Sequence, residues 1–377
     1  MLLKSDIRRI LVDFLRGELA LHQQGAAGVE TENDNEFFAR LPRAVLKEVF
    51  AKVAVFFGFE EREFSSFDLM TDYCYAVYLK KRSVVFATSG RMGLSRYSTH
   101  TERMLEEEVH GLSLFLKDCR RIVALVPANH WYGFVLTTYL PRVLGLNVIV
   151  LSPDASAAWE KILRAGDYVV SVPLFWNCFL RAGNHFVPGV TAVSSMAPCK
   201  NEVINALYQA GASKFIEIYG SGETGSMGVR SGAGDAFELL NFWEVSRKND
   251  TPKFKRKSQP EWMLIPDELA FVSDRLIRPL RRKESCVEVA GEKVYPQQIE
   301  DILSKHPAVN RCRVRLMRPE EGKDLKAFVV LKEGYTPAHE GIIRSYLLQK
   351  LTSNQMPRSF TFGAELPTAA VGKESDW

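Results

Sequence analysis

Five short segments constrain this chain more than any other feature: RIVALVP from Arg121, NVIVLSP from Asn147, DYVVSVP from Asp167, VTAVSSM from Val190 and KFIEIYG from Lys214. Each is a short, largely apolar run containing β-branched residues, of the kind buried in a parallel sheet. The stretches between them are long enough for crossover helices, so the pattern predicts a doubly wound α/β domain. Such domains bind ligands beyond the carboxyl ends of their strands, and the turn motifs of this sequence fall at those ends.

A length of 377 residues exceeds one ordinary core and predicts two unequal domains. Ahead of the strands, Ile7, Ile10, Leu11, Phe14 and Leu15 recur at helical spacing behind Ser5, predicting a helix over 6–22 that ends near Gly25 and turns its stripe to a core. Further helical patterns run from Leu41 to Phe57, around Tyr73 to Leu79, and through TERMLEEEVHGLSLFLKD. Around residue 267 the texture becomes more charged, then reads strand, turn, strand, helix, strand, strand, with a last helix from Ala338 to Leu351. The division expected is a large α/β domain over 1–280 and a small α+β domain over 281–377.

The chain carries 49 Lys and Arg against 45 Asp and Glu, and the resulting net charge of +4 argues for neither nucleic acid nor a membrane surface as partner. Its one basic run, KNDTPKFKRK from Lys248 to Lys257, reads as a solvated loop, with a carrier-protein contact as the lesser alternative. Asp6 and Arg8 interrupt any signal-peptide core, and no apolar run is long enough to span a membrane. The cysteines Cys74, Cys119, Cys178, Cys199, Cys286 and Cys312 are far apart and form no CxxC or metal-ligand spacing. Reduced thiols in a cytoplasmic protein are the expectation.

Two glycine-rich turns carry the chemistry. In FATSGRMGLSR, Gly90 and Gly93 allow close backbone approach, Thr88 and Ser89 supply hydroxyl donors and Arg96 supplies charge, which together suit a phosphate. The loop lacks the Gly-Lys-Ser/Thr ending of a P-loop and, taken alone, is as well read as a plain turn. In IEIYGSGETGSMG a strand ends in Tyr219 and Gly220, and the turn beyond it holds Glu223. That places one carboxylate where a phosphate-bound Mg2+ sits, beside a ring able to stack on a base.

From about Phe86 to its end, the sequence resembles the adenylate-forming superfamily of acyl-CoA synthetases, aryl-acid ligases and adenylation domains. The segment 88–96 resembles the phosphate loop of that family, and YGSGETG (Tyr219, Gly220, Ser221, Glu223) its Tyr-Gly-x-Thr-Glu motif. VPANHWYGF resembles the segment beside the acyl pocket, which implies that His130, Trp131, Tyr132 and Gly133 line the acid or thiol tunnel. VSSMAP resembles the strand end next to adenine and acyl group, with Ser195, Met196 and Ala197 in it. PDEL implies Asp267 on the ribose hydroxyls, with Asp274 as the other candidate, and Arg282 and Glu284 fall in the hinge-like RRKES. VEVAGEKVYPQQIEDIL resembles the small mobile C-terminal domain, and LPTAAVGK the terminal motif whose lysine, Lys373, reaches the α-phosphate and carboxylate.

The resemblance implies that ATP and Mg2+ activate a carboxylic acid as its adenylate, which then passes to the thiol of CoA or of phosphopantetheine on an acyl carrier protein. Catalysis of this kind rests on positioning and charge neutralisation rather than on a protein nucleophile. Lys373, Glu223 and His130 are the expected catalytic residues, with Glu223 as the metal ligand. The segment ahead of the phosphate loop is short for an acyl-CoA ligase, and with FGAELP it resembles the short AMP-ligases of aryl polyene pathways, which activate hydroxybenzoate-type acids. Arg91 and Met92 replace hydroxyl residues of the family pattern, Ser95 a proline, Gly222 a threonine, Glu284 the hinge aspartate and Glu288 a lysine. An aliphatic acid, or a non-catalytic nucleotide-binding relative acting as partner subunit, are the alternatives.

Overall fold

A computed structural model of the chain describes residues 1–22, 33–89, 95–151, 159–247, 252–282, 287–289, 292–318 and 320–367. The chain divides into two compact units, Met1–Ile265 with Phe271–Arg278, and Pro266–Ala270 with Pro279–Trp377.

The first unit opens with four helices, α1 (Lys4–His22), α2 (Asp34–Arg40), α3 (Arg43–Phe57) and α4 (Phe67–Lys81). The apolar stripe of α1 is buried as its spacing predicts and packs on α3 and α4. Two helices differ from expectation. The Leu41–Phe57 pattern begins two residues later, after Pro42, and is preceded by the separate α2. The Tyr73–Leu79 pattern is the middle of a longer helix, begun by the Ser66 hydroxyl accepting from the Leu69 amide at 3.3 Å. Gly25, the expected end of α1, lies outside the described residues.

β1 (Ser83–Ser89) and β2 (Ser95–Thr101) form an antiparallel hairpin in which Ser89 faces Ser95. Within FATSGRMGLSR, residues 86–89 lie on β1 and 95–96 on β2, and α5 (Glu102–Ser113) follows β2 directly, capped by the Thr101 hydroxyl. All five strands are present: β3 (Arg121–Ala124), β4 (Asn147–Val150), β5 (Asp167–Ser171), β6 (Thr191–Ser194) and β7 (Lys214–Ser221), but β4 is the edge strand and, against expectation, is only partly buried, with Val150 exposed. They are parallel, in the order β4-β3-β5-β6-β7. Between β3 and β4 lie the short α6 (Trp131–Phe134), a π-helical turn over Val135–Tyr139 and α7 (Leu140–Leu144). α8 (Trp159–Ile162), α9 (Pro173–Arg181) and α10 (Asn201–Gln209) occupy the later crossovers, and Trp176, Phe179, Ile204 and Leu207 pack with Val169, Ala192 and Phe215 of the sheet.

After β7 the chain doubles back as β8 (Gly225–Arg230) and β9 (Phe237–Leu239), both antiparallel. β10 (Trp243–Ser246) and β11 (Lys253–Arg256) pair apart from the main sheet. β12 (Asp267–Phe271) and β13 (Leu276–Arg282) complete a nine-stranded order, β12-β13-β9-β8-β7-β6-β5-β3-β4. The basic run read as a solvated loop contains β11, whose alternation turns Phe254 and Arg256 inward, at 0% and 2% exposure.

The second unit contains β14 (Val287–Val289), β15 (Glu292–Val294), α11 (Pro296–Leu303), β16 (Val309–Leu316), β17 (Leu325–Leu331), α12 (Glu340–Leu348) and β18 (Ser359–Phe362). Its core joins Val289, Val294, Ile299, Leu303, Leu325, Val329 and Ile343. β18, parallel to β17, is an additional strand that the sequence did not announce. No described helix is long and apolar enough to cross a membrane.

Candidate active site

The strand order places a topological switch between β3 and β5, because the chain leaves β3 toward β4 on one side and leaves β5 toward β6 on the other. A crevice opens at the carboxyl ends of such a pair. The segment PANHWYG follows β3 there, and its path is fixed from several sides. The Ala128 amide donates to Asp13 of α1 at 2.6 Å, and burial raises the carboxyl of Asp13 above its ordinary range. Gly133 lies so close to the Pro127 carbonyl that any side chain would collide with it. His130 is half-buried at the start of α6. Tyr132 is 1% exposed and its hydroxyl donates to the Ser171 carbonyl at the end of β5, so this ring ties two strand ends together in the core and has no open face. Trp131, also buried, lies against Gly220.

At the end of β6, Ser195 turns inward and donates to the Ile218 carbonyl at 2.7 Å. Met196 then adopts φ 75°, a left-handed conformation uncommon for a residue with a side chain, and is 47% exposed beside the exposed Ala197. The turn is held from beneath. Glu217 accepts the Cys199 amide at 2.9 Å and pairs with Arg230 at 2.7 Å, while Arg230 donates to the Cys199 carbonyl. Burial raises the Glu217 carboxyl, and Arg230 with the Cys199 amide opposes that rise.

The glycine-rich turn between β7 and β8 is the most heavily supported part of the unit. Ser221 and Thr224 close it with hydroxyls 3.1 Å apart, and Thr224 also donates to the Gly225 carbonyl. Both hydroxyls are thus turned inward, and neither takes the place of the threonine that Gly222 replaces. Three successive carbonyls of the turn are each held by a side chain from elsewhere: Gly222 by His100 Nε2 at 2.7 Å, Glu223 by Ser98 Oγ at 3.4 Å, and Thr224 by Arg256 at 2.9 Å. Beneath them Arg256 pairs with the fully buried Glu108 at 2.9 Å, and Glu108 accepts from Trp131 Nε1, the Ser226 amide and the Ser226 hydroxyl. Gly225, at φ 68°, faces both charges so closely that a Cβ would meet them. Tyr219 is half-buried, its ring 5.5 Å from that of Phe237.

A carbonyl only accepts, so His100 carries its proton on Nε2, and its Nδ1 is buried with no hydrogen-bond partner among the described residues. Burial lowers its pKa, against the pull of Glu108 and Glu223 and with the help of Arg256. The neutral ring is the folded form, whereas the unfolded ring takes up a proton near pH 6.5. Stability from this residue is therefore present above about pH 6.5 and falls below it by up to roughly 1.4 kcal/mol per pH unit until the folded ring titrates. Urea unfolding at pH 7.5, 6 and 5 checks this: His100→Gln should lose less stability over that range than the wild type, and parallel losses would refute it.

Thr88, Ser89 and Arg96 lie on the hairpin strands and Arg282 ends β13, while Gly90, Gly93, Glu284 and Lys373 lie outside the described residues. Asp267 opens β12 within the second unit, and Asp274, 98% exposed, pairs with Arg247 at 3.1 Å. The structure thus brings Trp131, Gly220, Ser221 and the Glu223 turn together in the first unit. It also adds Ser98, His100, Glu108 and Arg256, which no motif marks. Burial pushes the thiols of Cys74, Cys119, Cys199 and Cys312 up to about 12, which makes them poor nucleophiles.

The donor set fits Mg2+ of one kind only. Glu223 is a single half-buried carboxylate, and among the described residues no group of three or more His, Cys, Asp or Glu side chains encloses a metal. A site with one ligating carboxylate suits an ion that brings phosphate oxygens and waters with it.

Residues 298–373 match the AMP-binding enzyme C-terminal domain. A 4-coumarate–CoA ligase of Halorhodospira halophila is 30% identical over 292 residues, covering 77% of this chain and 74% of that protein. A second, from Cereibacter sphaeroides, is 30% identical over 314 residues, covering 82% and 74%. The fold matches that of O-succinylbenzoate coenzyme A synthetase from Bacillus subtilis in complex with ATP and magnesium ion, with a TM-score of 0.59 at 18% identity over 84% of this chain and 71% of that one. Relatives this similar over most of both lengths, on the same fold, make the chain a member of the adenylate-forming acyl-CoA synthetases, the AMP-forming ligases that join an acid to a thiol through an acyl-adenylate.

Proposed function

We propose that this enzyme activates a hydroxylated aromatic acid, of hydroxybenzoate or hydroxycinnamate type, with MgATP and passes the acyl group to CoA or to a carrier-borne phosphopantetheine. The observation that carries the reading is the direct bonding of two loops within the first unit. β2 of the hairpin donates from Ser98 and His100 to the turn bearing Glu223, which supports reading the hairpin and that turn as parts of one nucleotide site.

In this reading Thr88, Ser89, Gly90, Gly93 and Arg96 hold the triphosphate, and Tyr219, Gly220, Ser221, Ser195 and Ala197 line the nucleotide. Glu223 holds the Mg2+ that neutralises phosphate charge as pyrophosphate departs. Asp267 accepts the ribose hydroxyls and Arg282 supports the same end of the nucleotide. The half-buried His130 and the exposed Met196 face the acid, backed by the rings of Trp131 and Tyr132. Lys373 neutralises the carboxylate and α-phosphate, and Glu284 is the hinge about which the small domain turns before thiolation. The aromatic preference rests on the two 4-coumarate–CoA ligase relatives.

ATP–pyrophosphate exchange with Mg2+ and a panel of hydroxycinnamic, hydroxybenzoic, benzoic and medium-chain fatty acids tests the substrate class. Exchange at least about tenfold faster with hydroxylated aromatic acids is the expected result, one contact difference of ~1.4 kcal/mol in the pocket being enough. Preference for the fatty acids would overturn the aromatic assignment, and ATP binding without exchange would favour a non-catalytic role.

A further inference from the structure

The three carbonyl contacts on the Glu223 turn come from two places. Arg256 holds Thr224 from beneath, backed by Glu108, whereas His100 and Ser98 hold Gly222 and Glu223 from β2. β2 pairs residue for residue with β1, from Ser83 opposite Thr101 to Ser89 opposite Ser95. His100 is 0% exposed and packs edge-on against Phe86 of β1, with ring centroids 5.2 Å apart. A leucine would fill that volume without leaving a buried nitrogen unsatisfied, as Nδ1 is here. What histidine supplies here and leucine does not is the bond from Nε2 to the Gly222 carbonyl.

We infer that His100 is a positioning residue for metal-bound nucleotide: by holding the Gly222 carbonyl from the hairpin strand, it sets the orientation of the adjacent Glu223. The inference rests on the reading of Glu223 as the carboxylate that meets Mg2+ with ATP. His100 touches neither ion nor nucleotide and acts through the turn. The charged groups around it are Glu108 and Arg256 on the core side and Glu223 in the turn itself.

Calorimetric titration with ATP, in Mg2+ and separately in EDTA, reads this without turnover. His100→Leu should weaken MgATP binding about tenfold, the effect of one well-made hydrogen bond, and change metal-free ATP binding less than about twofold. His100→Gln, whose amide can donate in place of Nε2, should recover most of the loss. In a Glu223→Gln background His100→Leu should add nothing, because the carboxylate it positions is gone. Equal losses with and without Mg2+, or additive losses in the double variant, would overturn the inference while leaving the nucleotide reading intact. A wild-type protein that does not bind MgATP overturns both. Should His100→Leu not fold, Ser98→Ala at its half-buried position carries the same expectation at about two- to threefold.

Discussion

Arg256→Met lowers the stability of the protein by about 3–5 kcal/mol, because it leaves Glu108 charged, fully buried and without its counter-ion. The guanidinium also donates to the carbonyls of Met104 and Thr224 and lies over the rings of Phe242 and Trp243, so methionine restores volume but none of the polar contacts. Adding Glu108→Gln removes the orphaned charge and recovers much of the loss, since the amide oxygen still accepts from Trp131 and Ser226. Urea unfolding of the two variants checks this. A single-variant loss below about 1 kcal/mol would show that the pair is solvated and contributes no more than a surface ion pair does.

Lys373→Ala lowers acid-dependent ATP–pyrophosphate exchange by roughly 10²–10³-fold, the usual consequence of removing one charge from a developing anionic centre. Thioester formation from a supplied acyl-adenylate and CoA should keep most of its rate, because the proposed role of Lys373 belongs to the first half-reaction. The match to the AMP-binding C-terminal domain ends on this residue. Equal losses in both half-reactions would instead assign Lys373 to the thiolation step or to folding.

The parallel half of the sheet was legible because strands covered on both faces must be largely apolar, as RIVA, DYVVS, TAVS and KFIEIYGS are; NVIV carries the same pattern although it forms the half-exposed edge strand. The antiparallel half was not. β8 is GSMGVR and β9 only FEL, too short and too polar to carry a period; β8 takes its shape from pairing with β7, and β9 from lying between β8 and β13. β18 likewise depends on its neighbour β17 for definition.

The site divides in the same way. Motif residues such as Glu223 and Tyr219 are contiguous and could be named from the sequence. The network beneath them joins positions more than a hundred residues apart: His100 with Gly222, Glu108 with Ser226 and with Arg256. Two local signals were present all the same. Glu108 falls at helical spacing from Leu105 and Leu112, a carboxylate on an apolar stripe, and Arg256 follows Phe254 by two in a strand. A charge on the buried face of an amphipathic element announces a partner, and composition alone disguises it as part of a basic run.

Leu366 is buried beside Phe328 and Val330 in the second unit, which moors the chain only seven residues before Lys373. At full extension seven residues span roughly 25 Å, so the ammonium can serve no reaction centre whose distance from that mooring exceeds this tether and the length of its own side chain. The small unit thus carries its lysine on a short leash. Under the role proposed for Lys373, the timing of chemistry becomes a matter of where Leu366 stands, and lengthening the leash is expected to loosen the link between domain position and reaction step.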